Sequence, residues 1–487
     1  MNIKYLNHLI LHSLIGKNDG VSIVIDQTVK AMMSYMDIPL GNIYFLAAHM
    51  SPRFNAHTDN VFWHKNEIHR KIIACFSTVA PPELDDEIHQ NALKAKEVIS
   101  TYVKRHKIDI IMAHNMSHPY NLVTAVGLGY FIEERRKKGI IWPKVVGWWH
   151  DSYHERDTFN SPNPVIQKYL RYLPGTYIDG LVFINSTQPK LARQVFEKYG
   201  MHDVDDFLKR KTTIIPNTSS IRWEWKKCDW AADALHYPPQ DNYNASFFRD
   251  IGLLSQLDTK GFSIDDAVIL LQHTRVVQRK NIEAAIEFAF ALEKKLKRQK
   301  KKKCVVLLVS GQSGDERAPY KHFLIRFFKS MLSDNPDANV LMLFGEKNIL
   351  SYRDLILGRK YYRFADIPSI VAATGGLGVF FSTMEGFGNN LLEMVRWGLP
   401  VVINKYDIYQ RDIEPLGFSF PAITNGSLSD DVVEAGYDLI TDCSKRNAHV
   451  NHNLSVLSTK LSHKIIADKL KPLIEMVMIS TPTVNDH

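Results

Sequence analysis

The sequence predicts an α/β protein of two lobes, each built on a parallel sheet, and three observations support this prediction. The chain has 487 residues, which exceeds one ordinary core and indicates two or three domains of about 100–200 residues each. Hydrophobic residues make up 45% and charged residues 23%, a globular composition that argues against a disordered chain or a coiled coil. Short apolar runs alternate with helix-period segments in both halves, as they do in parallel sheets covered by helices.

The apolar runs are too many for one comfortable sheet, so we expect two Rossmann-like lobes. The predicted strands lie at 4–12, 43–48, 70–75, 108–113, 144–149, 180–184 and 212–215 in the first half, and at 267–272, 304–309, 340–344, 377–381 and 399–403 in the second. Helical periodicity is clear at 21–36, 84–106, 282–298 and 387–397. Open parallel sheets bind ligands at the carboxyl ends of their strands, so we expect functional residues in the loops that follow strands.

One stretch, 222–262, breaks the alternation, and we expect it to contain the connection between the lobes. The predicted organisation is an N-terminal lobe at 1–222, a connection at 223–262, a C-terminal lobe at 263–455, and a C-terminal helical segment with a frayed end at 456–487.

Charge and cysteine content restrict the function classes only mildly. The net charge is +8, from 60 basic and 52 acidic residues, which favours acidic partners without choosing among them. The four cysteines are far apart, so we expect neither a disulfide framework nor a structural zinc site; they are Cys75, Cys228, Cys304 and Cys443. No run approaches the roughly 18 apolar residues of a spanning helix, and no signal peptide is recognised. We expect a cytoplasmic protein, at most peripheral at the membrane.

The strongest functional pattern is the segment VFFSTMEGFGNNLLEMVRWGLPVVI at 379–403. It reads as a strand, a turn with Gly386 and Gly388, a helix that ends before Gly398, and a second strand opened by Pro400. Two glycines allow the backbone to approach a ligand closely. The start of the helix then offers unpaired N–H groups to phosphate or sugar oxygens.

Two glutamates stand in this segment, Glu385 in the turn and Glu393 inside the helix. A carboxylate in the turn can accept hydrogen bonds from sugar hydroxyls, and one lower on the helix can hold a ribose diol. The alternative is an ordinary glycine turn with a solvated Glu393. Spacing alone does not decide between the two interpretations.

A second pattern, AVILLQHTRVVQRKN at 267–281, is a buried strand followed by basic residues. Arg275 at the strand end and Lys280 five residues later can together neutralise a diphosphate. On its own such a pair is more often a solvated loop.

In the first half, the segment KVVGWWHD ends a strand at His150. A histidine at a strand end that faces a cleft can hydrogen-bond a sugar hydroxyl or orient an acceptor, and the alternative is a structural histidine. His154 follows four residues later, next to Glu155. Because the HExxH pattern is absent, we expect no metal site here.

Two further loops of the first half are candidates for ligand contacts. In HSLIGKNDGVS at 12–22, Gly16 and Gly20 allow a tight turn, and the helix that begins near Val21 could face a phosphate. The segment MAHNMSHPYN at 112–121 could contact a polyhydroxylated acceptor or form a polar surface loop.

These residues resemble the signature of retaining glycosyltransferases of family 4, which have the GT-B fold. Glu385 and Glu393 look like the family's E-x7-E element, and the accompanying positions are Ser382, Gly386, Phe387, Gly388, Gly398 and Pro400. Arg275 and Lys280, about one hundred residues earlier, are similar to its R-x4-K element. Thr274 stands where the family usually has glycine. The resemblance covers the C-terminal lobe well and the N-terminal lobe loosely.

The resemblance implies a hexosyltransferase of GT-B fold, two Rossmann-like lobes facing a cleft, that moves a sugar from UDP- or GDP-sugar to a hydroxyl acceptor with retention. The N-terminal lobe would bind the acceptor and the C-terminal lobe the nucleotide-sugar, and the C-terminal helix, at about 456–478, would cross back to the N-terminal lobe. The acceptor would be a carbohydrate, a small solute or a lipid-linked molecule, and no bound metal is implied. The catalytic residues would be Glu385, Arg275, Lys280 and His150. The donor-binding residues would be Glu393, Gly386, Phe387, Gly388, Asn389, Ser382 and Gly20.

Two other classes of function remain open on the sequence. One is a GT-B sugar phosphorylase or nucleotide-sugar epimerase, and the other is a non-catalytic protein that binds a nucleotide-sugar. A phosphorylase uses free phosphate and would not need Glu393 to hold a ribose. Retention of both glutamates together with Arg275 and Lys280 argues against a decayed site.

The densest charge run, KKLKRQKKKK at 294–303, closes a predicted helix. Cations are favourable at a helix C-terminus, so we favour a solvated helix end. The alternative is weak contact with anionic lipid through Lys294, Lys295, Lys297, Arg298, Lys300, Lys301, Lys302 and Lys303. Nucleic-acid binding is not expected, because no aromatic residues interleave with these cations.

Overall fold

The computed structural model describes residues 2–16, 19–50, 57–311, 318–424 and 427–479, and the chain divides into two compact units. The N-terminal unit consists of Met1–Thr218 and His463–His487, and the C-terminal unit of Ser219–Ser462. The chain leaves the N-terminal unit close to the predicted boundary at 222. The stretch at 223–262, predicted as a connection, lies within the C-terminal unit instead, as does 456–462.

A seven-stranded sheet forms the centre of the N-terminal unit. The strands of this unit are β1 His8–Leu11, β2 Leu14–Ile15, β3 Ile43–Ala47, β4 His49–Met50, β5 His57–Thr58, β6 Ile110–His114, β7 Lys144–Trp149, β8 Gly180–Phe183 and β9 Thr212–Ile214. The sheet order is β5-β3-β1-β6-β7-β8-β9, and every pairing in it is parallel. Strands β6, β7 and β8 are buried along their whole length, as expected for a sheet covered on both faces.

Helices of the N-terminal unit cover this sheet. They are α1 Gly20–Tyr35, α2 Glu67–Ala74, α3 Leu84–His106, α4 Leu122–Lys137, α5 Pro164–Gln167, α6 Gln188–Lys198 and α7 Val204–Arg210. The prediction of a strand at 70–75 was wrong, because this segment lies in α2. Ile68 and Ile72 are buried four residues apart, and the side chain of Asn66 caps the helix by accepting from the His69 N–H at 3.0 Å. A short apolar run does not distinguish the two structures, whereas the cap does.

The C-terminal unit contains a six-stranded parallel sheet and a smaller three-stranded sheet. Its strands are β10 Ala267–Gln272, β11 Cys304–Val309, β12 Val340–Phe344, β13 Ile349–Leu350, β14 Asp354–Ile356, β15 Arg359–Arg363, β16 Leu377–Phe380, β17 Val401–Asn404 and β18 Ala422–Ile423. The large sheet has the order β12-β11-β10-β16-β17-β18, and the small one β13-β15-β14. The five strands predicted in this half are confirmed, and the small sheet was not predicted.

Eight helices are described in the C-terminal unit: α8 Phe247–Asp250, α9 Leu253–Thr259, α10 Ile282–Arg298, α11 Ala318–Asp334, α12 Ile367–Ala372, α13 Asn389–Arg396, α14 Asp430–Thr441 and α15 Cys443–Lys460. The stretch before α8 packs on this unit through side-chain hydrogen bonds. The Trp223 indole donates to the Arg396 carbonyl at 2.8 Å, and the Tyr243 hydroxyl to the Asp354 carbonyl at 2.7 Å. These contacts explain why 223–262 is part of the unit rather than a linker.

The last helix, α16 His463–Ile479, belongs to the N-terminal unit. It packs beside β8, because a Cβ placed on Gly180 would lie 2.7 Å from the Val477 side chain. Lys469 also donates to the Ile214 carbonyl at the end of β9, at 2.8 Å. The C-terminal helix therefore completes the core of the unit in which the chain begins.

Several residues of the basic run are engaged within the C-terminal unit. Lys295 forms an ion pair with Glu434, Lys297 donates to the Asp337 carbonyl at 2.6 Å, and Lys303 to the Asp265 carbonyl at 2.7 Å. These contacts favour the interpretation of a helix end held by its own unit. Among the described residues, no helix is both long and apolar enough to cross a bilayer.

The four cysteines are all free thiols. Cys75 and Cys304 are buried, and Cys228 and Cys443 are partly exposed. Burial raises the pKa of each of the four thiols, that of Cys304 to about 11. At neutral pH the thiols are therefore protonated.

Candidate active site

The two functional patterns of the C-terminal unit meet at one edge of its large sheet. Strands β10 and β16 are parallel neighbours, with Leu270 paired to Leu377 and Leu271 to Gly378. The loops that follow them, 273–281 and 381–388, therefore leave the sheet side by side. The Thr383 N–H donates to the Arg279 carbonyl at 2.9 Å and ties the loops together.

Glu385 lies between two cations of the neighbouring loop. Its side chain is 9% exposed and forms a close ion pair with Lys280, which is itself 4% exposed. Arg279 approaches from the other side, with Nη1 3.0 Å from Glu385 Oε2 and 2.8 Å from the Met384 carbonyl. The structure thus brings together Glu385 and Lys280, two of the predicted catalytic residues.

The charges of this cluster support one another. Burial alone would raise the pKa of Glu385, but Lys280 and Arg279 lower it to about 2. Burial lowers the pKa of Lys280 to about 8, against the opposing attraction of Glu385. Glu385 is consequently a carboxylate and Lys280 chiefly an ammonium ion at neutral pH. Arg275 lies exposed at the start of the loop, and its positive charge contributes to the low pKa of Lys280.

Glu393 is buried in α13, not solvated as the alternative interpretation required. Its Oε2 lies 3.3 Å from Nε2 of His273, the residue that follows β10. The His273 ring stacks on Phe364 with centroids 3.9 Å apart, and its Nδ1 lies 2.9 Å from the Ser310 hydroxyl. Burial lowers the pKa of His273, whose neutral ring can donate to Glu393 and accept from Ser310. Despite burial, His273 lowers the pKa of Glu393, which is therefore ionised.

Tyr406 forms a hydrogen bond with the backbone of the glycine turn that precedes α13. The Tyr406 hydroxyl donates to the Phe387 carbonyl at 2.7 Å. Gly388 has φ +119°, and a Cβ there would lie 2.3 Å from that hydroxyl oxygen. Only glycine meets both conditions without strain. The predicted glycine at the helix end is confirmed, because Gly398 has φ +69° directly after Trp397.

The remaining donor-binding candidates line the same turn. Ser382 is buried after β16, and its carbonyl accepts from the Asn404 side chain at 3.0 Å. Gly386 is exposed and Phe387 is buried. Asn389 is the first residue of α13, and its Oδ1 is buried without a hydrogen-bond partner among the described residues. Backbone and side-chain polar groups are thus concentrated where the helix begins.

In the N-terminal unit, His150 follows β7 and is largely buried. Its Nε2 lies 3.0 Å from Nδ1 of His114, whose ring stacks on Trp148 with centroids 4.9 Å apart. Nδ1 of His12 lies 3.1 Å from the His114 carbonyl. Burial lowers the pKa of His150 and His114 well below the usual value, so both rings are neutral hydrogen-bonding groups.

The polar residues after His150 are engaged with their own unit. Glu155 accepts from the Trp149 indole at 2.8 Å and from the Ser152 hydroxyl at 2.9 Å, while His154 is exposed. Asp151 pairs with Arg156, with Nε and Oδ2 2.9 Å apart. Among the described residues, no group of three or more His, Cys, Asp or Glu side chains could hold a metal ion.

The loop at 112–121 closes on itself rather than opening toward solvent. The Asn121 side chain donates to the Asn115 carbonyl at 2.9 Å, and the Ser117 hydroxyl to the Asp151 carbonyl at 2.6 Å. Asn115 adopts φ +60°, which allows this compact turn. Some of the loop's polar groups are used in this way, whereas His114 contacts His150, and Oδ1 of Asn115 and of Asn121 are buried without a hydrogen-bond partner among the described residues.

The structure does not favour a phosphate near Gly20, because an aspartate occupies the start of α1. Asp19 caps the helix and accepts from the Val21 and Ser22 N–H groups at 3.1 Å each. Its carboxylate accepts from two of the unpaired donors and opposes the positive end of the helix. An approaching phosphate would be repelled. Gly20 itself is the first residue of the helix.

Three residues of the site had no role in the sequence interpretation: Arg279, His273 and Tyr406. Arg279 stands beside Lys280 but lacks a counterpart in the resembled signature. His273 and Tyr406 follow β10 and β17 closely, so a search of all positions after strands would have found them.

Comparisons with known proteins relate the whole chain to sugar-transferring enzymes. No family model matches the chain. It is 26% identical over 442 residues to the mannosylglucosylglycerate synthase of Petrotoga mobilis, which covers 84% of each chain. A UDP-forming α,α-trehalose-phosphate synthase from Burkholderia xenovorans has a similar structure, with a TM-score of 0.60, 10% identity, and coverage of 97% of this chain and 99% of that one.

A second solved structure of similar fold is a trehalose-6-phosphate synthase studied for glycosyl transfer with retention. Its TM-score is 0.56 at 11% identity, over 98% of this chain and all of that one. At such identities the structural likeness establishes the fold, and the sequence relationship supports the class of enzyme. The chain therefore has the GT-B fold, and its sequence relative supports a glycosyltransferase.

Proposed function

We propose that the protein is a retaining hexosyltransferase that moves a hexosyl group from a UDP- or GDP-sugar to a hydroxyl acceptor. One observation carries the proposal: Glu385 and Lys280 meet at the carboxyl edge of the C-terminal sheet, where open α/β sheets bind ligands. The resemblance of this segment to the family 4 signature and the sequence relationship to a mannosylglucosylglycerate synthase support it.

Arg275 and Lys280 hold the donor diphosphate in this proposal. Lys280 is buried, so its charge is weakly screened by water and interacts strongly with an anion. Arg275 lies exposed at the mouth of the same loop and presents a fork of donors to phosphate oxygens. As the bond to the sugar breaks, both cations stabilise the negative charge that grows on the leaving diphosphate.

Glu393 holds the ribose hydroxyls, and Glu385 binds the transferred sugar. Glu393 is ionised and oriented by His273, so its remaining lone pairs can accept from a diol. Glu385 is also ionised and stabilises positive charge that develops on the sugar ring. Backbone N–H groups near Phe387 and Asn389 contact sugar and phosphate oxygens, where Gly386 and Gly388 allow close approach.

The proposed step keeps the acceptor and the leaving group on the same face of the sugar. The bond between the anomeric carbon and the phosphate oxygen breaks, the bond to the acceptor oxygen forms, and the departing phosphate oxygen takes the acceptor proton. Glu385 is a poor candidate for a covalent nucleophile, because two cations hold its pKa near 2 and weaken its basicity. A structural neighbour studied for transfer with retention is in keeping with this stereochemistry.

His150 positions the sugar or the acceptor as a neutral hydrogen-bonding group in this proposal. The relative from Petrotoga mobilis is named as a synthase of mannosylglucosylglycerate. A small, polar sugar–glycerate compound is therefore the first acceptor to test here. Carbohydrate and lipid-linked acceptors are the next choices.

The burial of Glu393 disfavours a phosphorylase. A phosphorylase has no ribose to bind. Glu393 is nevertheless only 5% exposed, and it is oriented by His273, whose ring stacks on Phe364 and hydrogen-bonds Ser310. His273 and Arg396, whose Nη2 lies 3.8 Å from Glu393 Oε1, keep this carboxylate ionised, and its remaining lone pairs can accept from a diol. Binding of a nucleotide ribose would account for a buried, oriented carboxylate at this position.

Calorimetric titration of the purified chain tests the proposal. The ligands are UDP, GDP and ADP, each with its glucose, mannose and N-acetylglucosamine forms, without added metal. We expect selective binding of one nucleotide, which identifies the base and narrows the search for the acceptor. A folded protein that binds none of these ligands would refute the donor site.

A further inference from the structure

Arg279 connects the two loops of the site through both its backbone and its side chain. Its carbonyl accepts from the Thr383 N–H at 2.9 Å and from the Thr383 hydroxyl at 3.2 Å. Its Nη1 donates to the Met384 carbonyl at 2.8 Å and to Glu385 Oε2 at 3.0 Å. One residue thus fixes three consecutive positions of the turn that carries Glu385.

Glu385 and the donor diphosphate compete for Lys280 under the function proposed above. Lys280 forms an ion pair with Oε1 of Glu385, on the side opposite Arg279. A diphosphate that binds Lys280 brings negative charge beside the same carboxylate. Repulsion would then displace Glu385 from the sugar unless another cation retained it.

The position of the Arg279 side chain allows it to hold the Glu385 carboxylate in place. Its guanidinium contacts Oε2, the oxygen that Lys280 does not use, and the second hydrogen bond to the Met384 carbonyl fixes its orientation. The side chain is 24% exposed, so the contact is partly shielded from water. Both bonds come from one nitrogen, Nη1, whose two N–H groups have fixed directions in the guanidinium plane, whereas a lysine ammonium lies on a shorter side chain and rotates freely.

We propose that Arg279 is a positioning residue, which holds the Glu385 carboxylate in place when the donor diphosphate engages Lys280. This inference rests on the proposed function and deepens it. Affinity for a bare nucleoside diphosphate depends on Arg275 and Lys280, whereas discrimination between sugars depends on Arg279 acting through Glu385. The two dependences can be separated by substitution.

Arg279→Lys is the decisive variant, because it keeps the positive charge and removes the planar group whose Nη1 makes both hydrogen bonds. Arg279→Met removes both. The backbone bond from Thr383 to residue 279 persists in both variants, so the loops remain tied. Arg326→Met provides a matched control, since Arg326 is exposed on α11 and belongs to neither loop of the site.

The experiment measures dissociation constants by calorimetry for the full chain with UDP, UDP-glucose, UDP-galactose, GDP, GDP-mannose and GDP-glucose. We expect wild type and R326M to discriminate between the two sugar forms of the preferred nucleotide. In R279K the affinity for the bare diphosphate should change by less than about threefold, while the discrimination falls about tenfold or more. In R279M the discrimination should fall at least as far, and any additional loss of diphosphate affinity reflects the positive charge that this variant removes from the loop.

Three results would overturn the inference. The first is R279K with undiminished discrimination, and the second is a parallel loss of diphosphate affinity and discrimination in R279K. The third is a wild-type chain that binds a nucleotide without distinguishing its sugars; in all three cases the donor site stands. A wild-type chain that binds none of the six ligands refutes the proposed function and the inference together. Thermal unfolding checks that each variant is folded, and R279K decides alone if R279M does not fold.

Discussion

The polar clusters of the two units are buried to a similar degree but differ in charge. Around Glu385 every buried charge has an opposite charge beside it, so the carboxylate and the ammonium of Lys280 remain ionised. Around His150 the neighbours are other histidines, and burial without a counter-ion leaves the rings neutral. Burial therefore does not set protonation by itself; the charges of neighbouring groups act together with it.

Removal of the Glu385 carboxylate from the charged cluster of the C-terminal unit should have the largest effect on activity. Glu385→Ala should lower the turnover number by about 10²–10³-fold or abolish transfer, because it removes the charge opposed to the developing sugar cation. Nucleotide binding should survive. Steady-state kinetics with the identified donor, alongside titration of the nucleotide, provide the measurement. Glu434→Ala is the matched control, since it also breaks an ion pair with a lysine. Persistent transfer in E385A would remove Glu385 from the mechanism.

Acid should open the N-terminal unit before the C-terminal one. Burial lowers the pKa of His8, His64, His69 and His118 to about 4, from about 6.5 in an unfolded chain. Because each of these histidines has a lower pKa in the folded protein than in the unfolded chain, the unfolded chain binds their protons more tightly. Their contribution to the stability of the folded unit is therefore fully present above pH 6.5 and is lost as the pH falls toward 4. For the almost fully buried His8, His69 and His118 each shift corresponds to roughly 3 kcal/mol when fully expressed. His64 is partly exposed, so its contribution is smaller.

Hydrogen exchange read by mass spectrometry, between pH 7 and 4.5, measures this difference unit by unit. His69→Gln should lower the pH at which the N-terminal unit opens. His202→Gln, at an exposed position, should not change it. Simultaneous opening of both units would contradict the comparison.

Removal of Lys280 should weaken nucleotide binding and also destabilise the site. Lys280→Met should lower affinity for the nucleoside diphosphate by about 10–100-fold, since a hydrogen bond to a charged group contributes about 1.5–3 kcal/mol. It also leaves Glu385 with Arg279 as its remaining cation in contact. Calorimetry measures the affinity, and Lys321→Met, which breaks another lysine–glutamate pair, is the control. Unchanged affinity would exclude Lys280 from the phosphate site.

The smallest expected difference between the units is in the free energy that is lost when a glycine with positive φ is replaced by alanine. Gly388→Ala should reduce the free energy of unfolding by about 2–3 kcal/mol, because a positive φ and the Tyr406 hydroxyl at 2.3 Å both oppose a Cβ. Gly139→Ala, with φ +71° in open space, should cost only about 1 kcal/mol. Denaturant unfolding measures both. Equal losses would show that the Tyr406 contact is unimportant.

The sequence predicts the central strands of the large sheets well, because they are mostly apolar runs between helical segments, as in β10 and β11. The two-residue edge strands β5 and β18 were not predicted. The sequence does not predict the small sheet. There β14 and β15 are joined by Leu357 and Gly358, both with positive φ. Leucine rarely adopts that conformation, so the segment carries no turn signal.

The residues of the candidate site could be predicted from local sequence patterns, but their contacts with one another could not. Glu385 and Lys280 stand in local patterns that can be recognised along the chain. Their contact with each other depends on β10 pairing with β16, which are more than one hundred residues apart. The role of Arg279 depends on atoms of that contact, and no spacing within a single loop encodes it.

The protonated thiols of this chain make it suited to selective chemical labelling. Maleimides and similar reagents react with thiolates, and burial holds the pKa of all four native cysteines above the usual value. A cysteine introduced at an exposed position, such as 202, would react faster than the native ones. Fluorophores could therefore be attached to the otherwise natural chain, with no need to remove Cys75 or Cys304 from its core.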